Sequence, residues 1–122
     1  MAELTGFQLL CAGQEIEERS KGVRFSVRHE DGYTRAFAVR FDGKVCAFLN
    51  QCAHQAIELD WNEGEFFDTG RRYLVCATHG ALYDPIDGRC ISGRCQGRGL
   101  TALNIIETAG GIYVQTDHPV IR

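Results

Sequence analysis

Two short segments of the sequence carry cysteine and histidine at close spacing. One residue separates Cys52 from His54 and two separate Cys76 from His79, with 21 residues between the pairs. Thiolate and imidazole bind soft and borderline metal ions well. A Cys-x-His spacing places both side chains on one side of an extended segment, and a Cys-x-x-His spacing does the same around a tight turn, which Gly80 helps to close. The sequence predicts two facing loops whose four ligands alternate between sulfur and nitrogen.

The ligand set by itself leaves the metal open. A structural zinc site uses the same two cysteines and two histidines, although zinc sites more often contain Cys-x-x-Cys. Simple burial of the four residues would require four coincidences at matched spacing. A zinc-binding structural or interaction module is therefore the alternative to a redox centre, and a colour and an iron assay would separate them.

The elements that hold these loops are predicted to be β-strands, because the dominant hydrophobic period is two. Asp31-Gly32 and Asp42-Gly43 lie between alternating runs and predict tight hairpin turns, which gives a three-stranded antiparallel meander. Neither of two candidate helical turns shows a sustained apolar face. The predicted class is an all-β sandwich or small barrel. The predicted strands are Val23–Arg28, Ala36–Phe41, Val45–Leu49, Tyr73–Val75, Leu100–Ile106 and Ile112–Thr116, and the candidate helical turns are Glu15–Ser20 and Ala56–Leu59.

Length and composition limit the class of protein. The 122 residues suit one domain spanning the whole chain, and a 44% hydrophobic content excludes disordered and collagen-like classes. The net charge of −3 and the lack of a basic block argue against nucleic-acid binding. No run approaches the ~18 apolar residues of a membrane span, and no signal peptide is recognisable. We therefore expect a cytoplasmic protein whose six cysteines bind metal or are simply buried.

The paired motifs resemble those of the Rieske family of [2Fe–2S] proteins, which are Cys-x-His and Cys-x-x-His. The resemblance implies antiparallel β-sheets with a cluster-binding loop subdomain, here at about residues 50–98, and one [2Fe–2S] cluster as the cofactor. In that family both cysteines hold one iron and both histidines the other. The resemblance therefore implies that Cys52 and Cys76 bind the buried iron, and that His54 and His79 bind the outer one.

Departures from the family pattern indicate its low-potential branch. High-potential members carry a further cysteine in each ligand loop, and these two form a disulfide; here the matching positions are Ile57 and Thr78. Those members also have a Ser and a Tyr after the second His, whose hydroxyls donate to cluster sulfurs. Ala81 replaces the Ser, while Tyr83 retains the Tyr or is simply a core aromatic. Fewer donors to sulfur lower the expected potential.

The remaining cysteines and histidines are given structural interpretations. Cys90 and Cys95 lie in a third loop, corresponding to the segment that covers the cluster in relatives. They could pair, but in a reducing cytosol we expect them not to. Cys11 and Cys46 are expected to pack as small hydrophobes. His29 and His118 have no cysteine at ligand spacing and are expected on the solvated surface.

Charged residues flank the predicted cluster on both sides. An acidic stretch around Trp61 suits either a solvated loop or a patch that steers a partner, and arginines lie in and beside the third loop. The tip is therefore predicted to be electrostatically two-sided. The acidic residues are Glu58, Asp60, Glu63, Glu65 and Asp68, and the arginines are Arg89, Arg94 and Arg98.

These observations favour a soluble one-electron carrier, a component of an oxidoreductase system rather than a stand-alone catalyst. The chain has no glycine-rich dinucleotide fingerprint and no readable nucleophile set. The resemblance implies a ferredoxin that passes electrons from a flavoprotein reductase to a ring-hydroxylating oxygenase of the dioxygenase type. The alternative within the family is a small subunit resembling that of assimilatory nitrite reductase, whose partner is the large subunit.

Overall fold

The computed structural model describes residues 5–53 and 57–122. The described residues form an all-β protein with no α-helix and one 3₁₀ turn at Gly13–Glu15, which confirms the predicted fold class. That turn is all that forms near the first candidate helical turn, and Ala56 of the second lies outside the described residues. No helix in the described ranges has the length and apolar character needed to cross a membrane.

Ten strands follow one another along the described chain. They are β1 (Phe7–Ala12), β2 (Val23–His29), β3 (Gly32–Phe41), β4 (Lys44–Leu49), β5 (Leu74–Val75), β6 (Leu82–Tyr83), β7 (Cys90–Ser92), β8 (Ala102–Leu103), β9 (Ile105–Thr108) and β10 (Gly111–Gln115).

The strands pair antiparallel in three sheets, counted over the described residues. Their orders are β1-β10-β9, β2-β3-β4-β8 and β5-β6-β7. The predicted meander is β2-β3-β4, and it is confirmed. The predicted strand over residues 100–106 is instead split at Asn104, where the chain leaves the second sheet for the first. Strands β1, β6 and β7 were not predicted.

The two Asp-Gly signals have different outcomes. Asp42 and Gly43 both adopt positive φ, of 52° and 80°, and Phe41 pairs with Lys44, as the hairpin prediction requires. In the first hairpin His29 pairs with Gly32, so the turn is one residue earlier than predicted and Gly32 begins β3.

Strand β3 separates two hydrophobic cores. Ala36 and Ala38 face one core, formed with β1, β2 and β10, which we call the sandwich core. Phe37 and Val39 face the other, formed with the segments between residues 48 and 100, which we call the loop core. All four side chains are fully buried. Because successive side chains of a strand point to opposite faces, a continuous apolar run here reflects burial on both sides.

Candidate metal centre

The first predicted ligand loop begins where β4 ends at Leu49. The backbone amide of Asn50 donates to the carbonyl of Arg35 on β3, so the loop leaves from a fixed point of the sheet. The amide of Cys52 donates to the carbonyl of Ile57 at 2.8 Å. This bond brings the chain after the motif back beside Cys52. His54 lies outside the described residues.

The second predicted ligand loop is the turn between β5 and β6. The amide of Cys76 donates to the carbonyl of Ala81 at 2.9 Å, and the amide of Gly80 donates to the carbonyl of Cys76 at 2.7 Å. Gly80 has a φ of +72°, a conformation that side chains other than glycine rarely adopt, and it closes the turn as the sequence predicts. A backbone bond from Ala77 to the carbonyl of Leu59 joins this turn to the first loop.

Three of the four predicted ligands come together. The ligand-type atoms of Cys52, Cys76 and His79 all lie within 4.8 Å of one another, and the Cys76 Sγ is 3.9 Å from the His79 Nδ1. Cys52 follows β4 and Cys76 follows β5, which belong to different sheets, so the arrangement depends on the tertiary fold. Such a group of two sulfurs and one imidazole nitrogen could hold a metal centre.

Burial divides the group into an inner and an outer side. Cys52 and Cys76 are 3% and 0% exposed, whereas His79 is half-buried. Burial raises the pKa of the Cys76 thiol, and backbone N–H groups of His79 and Thr78 act against that increase. The sulfurs therefore lie in the protein interior, and the imidazole lies at the surface.

Tyr83 on β6 directs its hydroxyl at the first loop. Its oxygen accepts a hydrogen bond from the amide of Ala53 at 3.0 Å and lies 3.3 Å from the Cys52 Sγ. Because the amide uses the oxygen as an acceptor, the phenolic proton is available to Cys52. Burial, followed by the contact with Cys52, raises the pKa of Tyr83, so the phenol keeps this proton. Tyr83 is at once a core aromatic and a donor to sulfur.

Comparison with known proteins assigns the family. The profile of the Rieske [2Fe-2S] domain matches residues 6–110, which is most of the chain. The chain belongs to the Rieske [2Fe–2S] family. The comparison with curated protein sequences gives no significant match. The cofactor of this Rieske chain is one [2Fe–2S] cluster.

Solved structures share the Rieske fold at low sequence identity. A chain of the complex of reduced oxygenase and oxidised ferredoxin in carbazole 1,9a-dioxygenase aligns with a TM-score of 0.70 and 17% identity over 90% of this chain and 93% of its own length. The terminal oxygenase of carbazole 1,9a-dioxygenase from Nocardioides aromaticivorans IC177 aligns with a TM-score of 0.70 and 18% identity, covering 92% of this chain and 30% of that one. A 2-oxoquinoline 8-monooxygenase component gives 0.69 and 19%, over 92% and 26%.

The donor set in this Rieske chain fits a two-iron cluster with unlike ends. Two sulfurs lie on the buried side and the described imidazole lies on the exposed side, as ligation of one iron by cysteine and the other by histidine requires. The described ranges place neither His29 nor His118 in a group of metal-binding side chains.

The third loop (residues 90–99) corrects one expectation. Cys90 and Cys95 form a disulfide, where the sequence led us to expect reduced thiols. The expectation rested on the reducing character of the cytosol, which does not depend on the positions of two particular side chains. Here the backbone brings the two Cα atoms to 5.5 Å, within the range that a disulfide spans. Cys11 is buried in the sandwich core, and Cys46 packs against the loop core, as predicted for small hydrophobes.

A buried polar pair that the sequence did not single out fixes the first loop. The Asn50 Nδ2 donates to the Asp60 Oδ1 at 2.9 Å, and the Asn50 Oδ1 accepts from the amide of Leu59 at 2.8 Å. The Asp60 Oδ2 accepts from the amide of Gly64 and lies 3.3 Å from the Arg24 Nε. Asn50 and Asp60 are 1% and 6% exposed. Both side chains lie in irregular segments, so no periodicity marks either as buried.

The acidic stretch is mostly engaged within the protein. Arg24 lies 2.7 Å from carboxylate oxygens of both Glu58 and Glu63, and its guanidinium also contacts the buried Asp60. The Asp68 Oδ1 accepts from backbone amides of a turn. Trp61 is 82% exposed. The predicted two-sided tip therefore has fewer available carboxylates than the sequence suggests.

Proposed function

We propose that this Rieske chain is a one-electron carrier whose cluster is held by Cys52, His54, Cys76 and His79. The observation that carries the assignment is the convergence of Cys52, Cys76 and His79 within 4.8 Å. When bound, the cluster accepts and returns single electrons. The two buried cysteines hold the inner iron, and the two histidines hold the outer one, with His54 assigned by its spacing in the motif.

The charge of this ligand set supports placement in a buried site. Two ferric ions, two sulfides, two thiolates and two neutral imidazoles sum to zero, so the oxidised state adds no net charge to the protein interior. Tyr83 adds a hydroxyl donor at the Cys52 sulfur, which stabilises negative charge there.

We place the carrier between a flavoprotein reductase and a ring-hydroxylating oxygenase. The support is the similar chain, nearly equal in length, in a structure of oxygenase with ferredoxin from carbazole 1,9a-dioxygenase. In this proposal residues 1–122 act as one Rieske domain, and the chain works in the cytoplasm, where reduced nicotinamide nucleotides supply such reductases. Cell fractionation with antibody detection tests the location.

Partners dock on the face around His79, because that side of the site reaches the surface. Arg94 of the third loop is exposed and makes no hydrogen bond or ion pair with any described residue. Its charge is therefore available to steer encounter, an effect that weakens as salt rises.

Stopped-flow electron transfer across an ionic-strength series tests this role. Candidate partners are a flavoprotein reductase and an oxygenase, or a nitrite reductase large subunit, encoded beside this chain. Arg94→Glu should slow the reaction more at low salt than at high salt. Lys44→Glu makes the same charge change at the β3–β4 turn, the opposite end of β4 from the ligand loop, and should leave the salt slope unchanged. Equal slopes for both variants and wild type would contradict docking at this face, and reaction with the nitrite reductase subunit alone would overturn the oxygenase role.

A further inference from the structure

The third loop contacts both predicted ligand loops. At one end, strand β7 pairs with β6, which carries Tyr83. At the other end, Gly99 forms a bridge with Arg89, the residue just before the loop, so the two ends of the loop lie side by side. Between these ends the loop lies over the turn that contains Cys76 and beside the segment that contains Cys52.

The disulfide fixes the backbone of Arg98. The amide of Cys90 donates to the carbonyl of Arg98 at 3.2 Å, and the amide of Arg98 donates to the carbonyl of Cys95 at 2.9 Å. Both half-cystines therefore hold the main chain of the same residue. Cys95 is fully buried in the loop core, so the covalent link also joins the loop to that core.

The side chain of Arg98 reaches the first ligand loop. Its Nη1 donates to the carbonyl of Ala53 at 3.2 Å, between the positions of Cys52 and His54. The amide of the same Ala53 is held from the other side by Tyr83. The amide and the carbonyl of Ala53 are thus both satisfied, the first by Tyr83 of β6 and the second by Arg98 of the third loop.

Inside the disulfide ring, Gly93 lies directly against the second ligand loop. Its φ is +104°, and a Cβ at this position would be 3.0 Å from the Cα of Ala81. This distance is tighter than most Cβ contacts in proteins, and the positive φ also disfavours other residues, so the glycine permits the loop to approach the Cys76–Ala81 turn closely. Because Cys90 and Cys95 are only five positions apart, the disulfide closes a short ring that contains Gly93.

We propose that the Cys90–Cys95 disulfide and Arg98 form a brace that positions the two ligand loops against each other. Cys90, Cys95 and Arg98 are positioning residues: the disulfide holds the Arg98 backbone, and the Arg98 guanidinium holds the carbonyl of Ala53. The guanidinium also adds positive charge beside the site, which favours its reduced state. The proposal rests on the assigned cluster ligands and not on the identity of any electron-transfer partner.

Counting free thiols tests whether the Cys90–Cys95 disulfide forms, and this measurement does not require a bound cluster. Protein precipitated with acid at lysis and then alkylated in a neutral denaturant should take up label on the four cysteines outside the disulfide, and on all six after treatment with a phosphine reductant. Mass spectrometry should locate the two additional labels on Cys90 and Cys95. Six labels before reduction would overturn the brace.

Cluster loss to an iron chelator, followed by visible absorbance, tests the positioning part. Cys90→Ser should accelerate the loss by at least about tenfold, because a short covalent ring that limits loop opening is removed. Cys46→Ser is the matched control: it alters a cysteine packed on the same core but outside any disulfide, and it should change the rate by less than about twofold. Equal rates for the two variants would overturn the proposal.

Arg98→Gln and Arg94→Gln separate positioning from general stability. The Arg98 variant should lose the cluster about threefold faster and have a lower midpoint potential, since it removes a charged donor at Ala53. The Arg94 variant removes the same charge from the same loop and should match wild type in both measurements. An unchanged potential in both variants would contradict the role of Arg98. If no oxygenase or reductase reacts with the chain, all of these results still apply, so failure of the carrier role is distinguishable.

Discussion

The two cores on either side of β3 are organised by different interactions. The sandwich core lies mostly between strands of four to ten residues, and on β2 its buried apolar side chains alternate with more exposed polar ones. The loop core is surrounded by strands of only two or three residues and by long irregular segments. Its order depends on the Asn50–Asp60 pair, the hydroxyl of Tyr83 and the disulfide.

The two cores are expected to depend on the cofactor to different degrees. Regular strands satisfy their own backbone groups and bury one face, so the sandwich core needs no ligand. In the loop core, each contact holds a single peptide segment, and the two buried sulfurs lie together at its edge. We therefore expect loss of the cluster to loosen the loop core while the sandwich core stays folded.

The largest expected effect comes from removing a predicted ligand. His54→Ala and His79→Ala should each abolish or convert the cluster, because in the proposed assignment each histidine supplies one of the two protein ligands of the outer iron. Iron content, visible absorbance and amide hydrogen exchange measure the outcome. Exchange should rise in the loop core and stay low in strands β2 and β3.

His29→Ala and His118→Ala are the controls for this prediction. Neither residue belongs to a metal-type group within the described ranges, so both variants should keep wild-type iron. Loss of iron in either control would mean that the ligand assignment is wrong.

A large effect on stability is expected at the buried polar pair. Asn50→Ala leaves the Asp60 carboxylate and the amide of Leu59 without partners in the interior, which should cost about 2–3 kcal/mol in the free energy of unfolding. Urea unfolding of the holoprotein measures it. Glu63→Gln changes a side chain that is 83% exposed and should stay within about 0.5 kcal/mol of wild type.

The midpoint potential of the cluster depends on how many hydrogen-bond donors contact its sulfur atoms. With Ala81 in place of Ser and no cysteine at positions 57 and 78, we expect a midpoint potential of about −150 mV. This potential should not change with pH until well above neutrality. Tyr83→Phe removes the hydroxyl 3.3 Å from the Cys52 Sγ and should lower the potential further, whereas Ala81→Ser should raise it. Protein-film voltammetry gives all three values. A wild-type value above about +150 mV would show that the hydroxyl and disulfide argument is wrong.

A smaller effect is expected in the sandwich region. Arg40 on β3 makes two 2.8 Å hydrogen bonds to the Glu107 carboxylate on β9, and this contact lowers the pKa of Glu107 from 4.5. Because the folded-state pKa is the lower one, the stabilisation is complete above pH 4.5 and is lost as pH falls through the folded value. Glu107→Gln should cost about 1 kcal/mol at pH 7, and the difference should vanish in acid.

Thermal unfolding at several pH values measures this difference. Glu17→Gln is the control, because Glu17 is exposed and has no ion pair within the described part of the chain. A Glu107→Gln difference that persists unchanged in acid would exclude the carboxylate as its source.

Local patterns predicted the sandwich better than the loops. Alternation gave β2, β3 and β4, and Asp42-Gly43 gave a turn whose two central residues have positive φ. Period-two reasoning missed β6 and β7 because two or three residues contain no period. The ligand motif singled out Cys52, Cys76 and His79, and the structure brings their ligand-type atoms within 4.8 Å of one another. The pairing of Asn50 with Asp60 and the disulfide depend on how irregular segments return to the sheet, which no local signal records.

Pulsed electron paramagnetic resonance on the dithionite-reduced protein, with and without ¹⁵N-histidine, tests the central claim most directly. The account predicts couplings from two metal-bound histidine nitrogens, both of which change with the isotope. His54→Ala and His79→Ala should each remove this signature. A reduced protein with no nitrogen coupling, or a colourless protein that holds zinc after production in iron-replete anaerobic culture, would contradict the assignment.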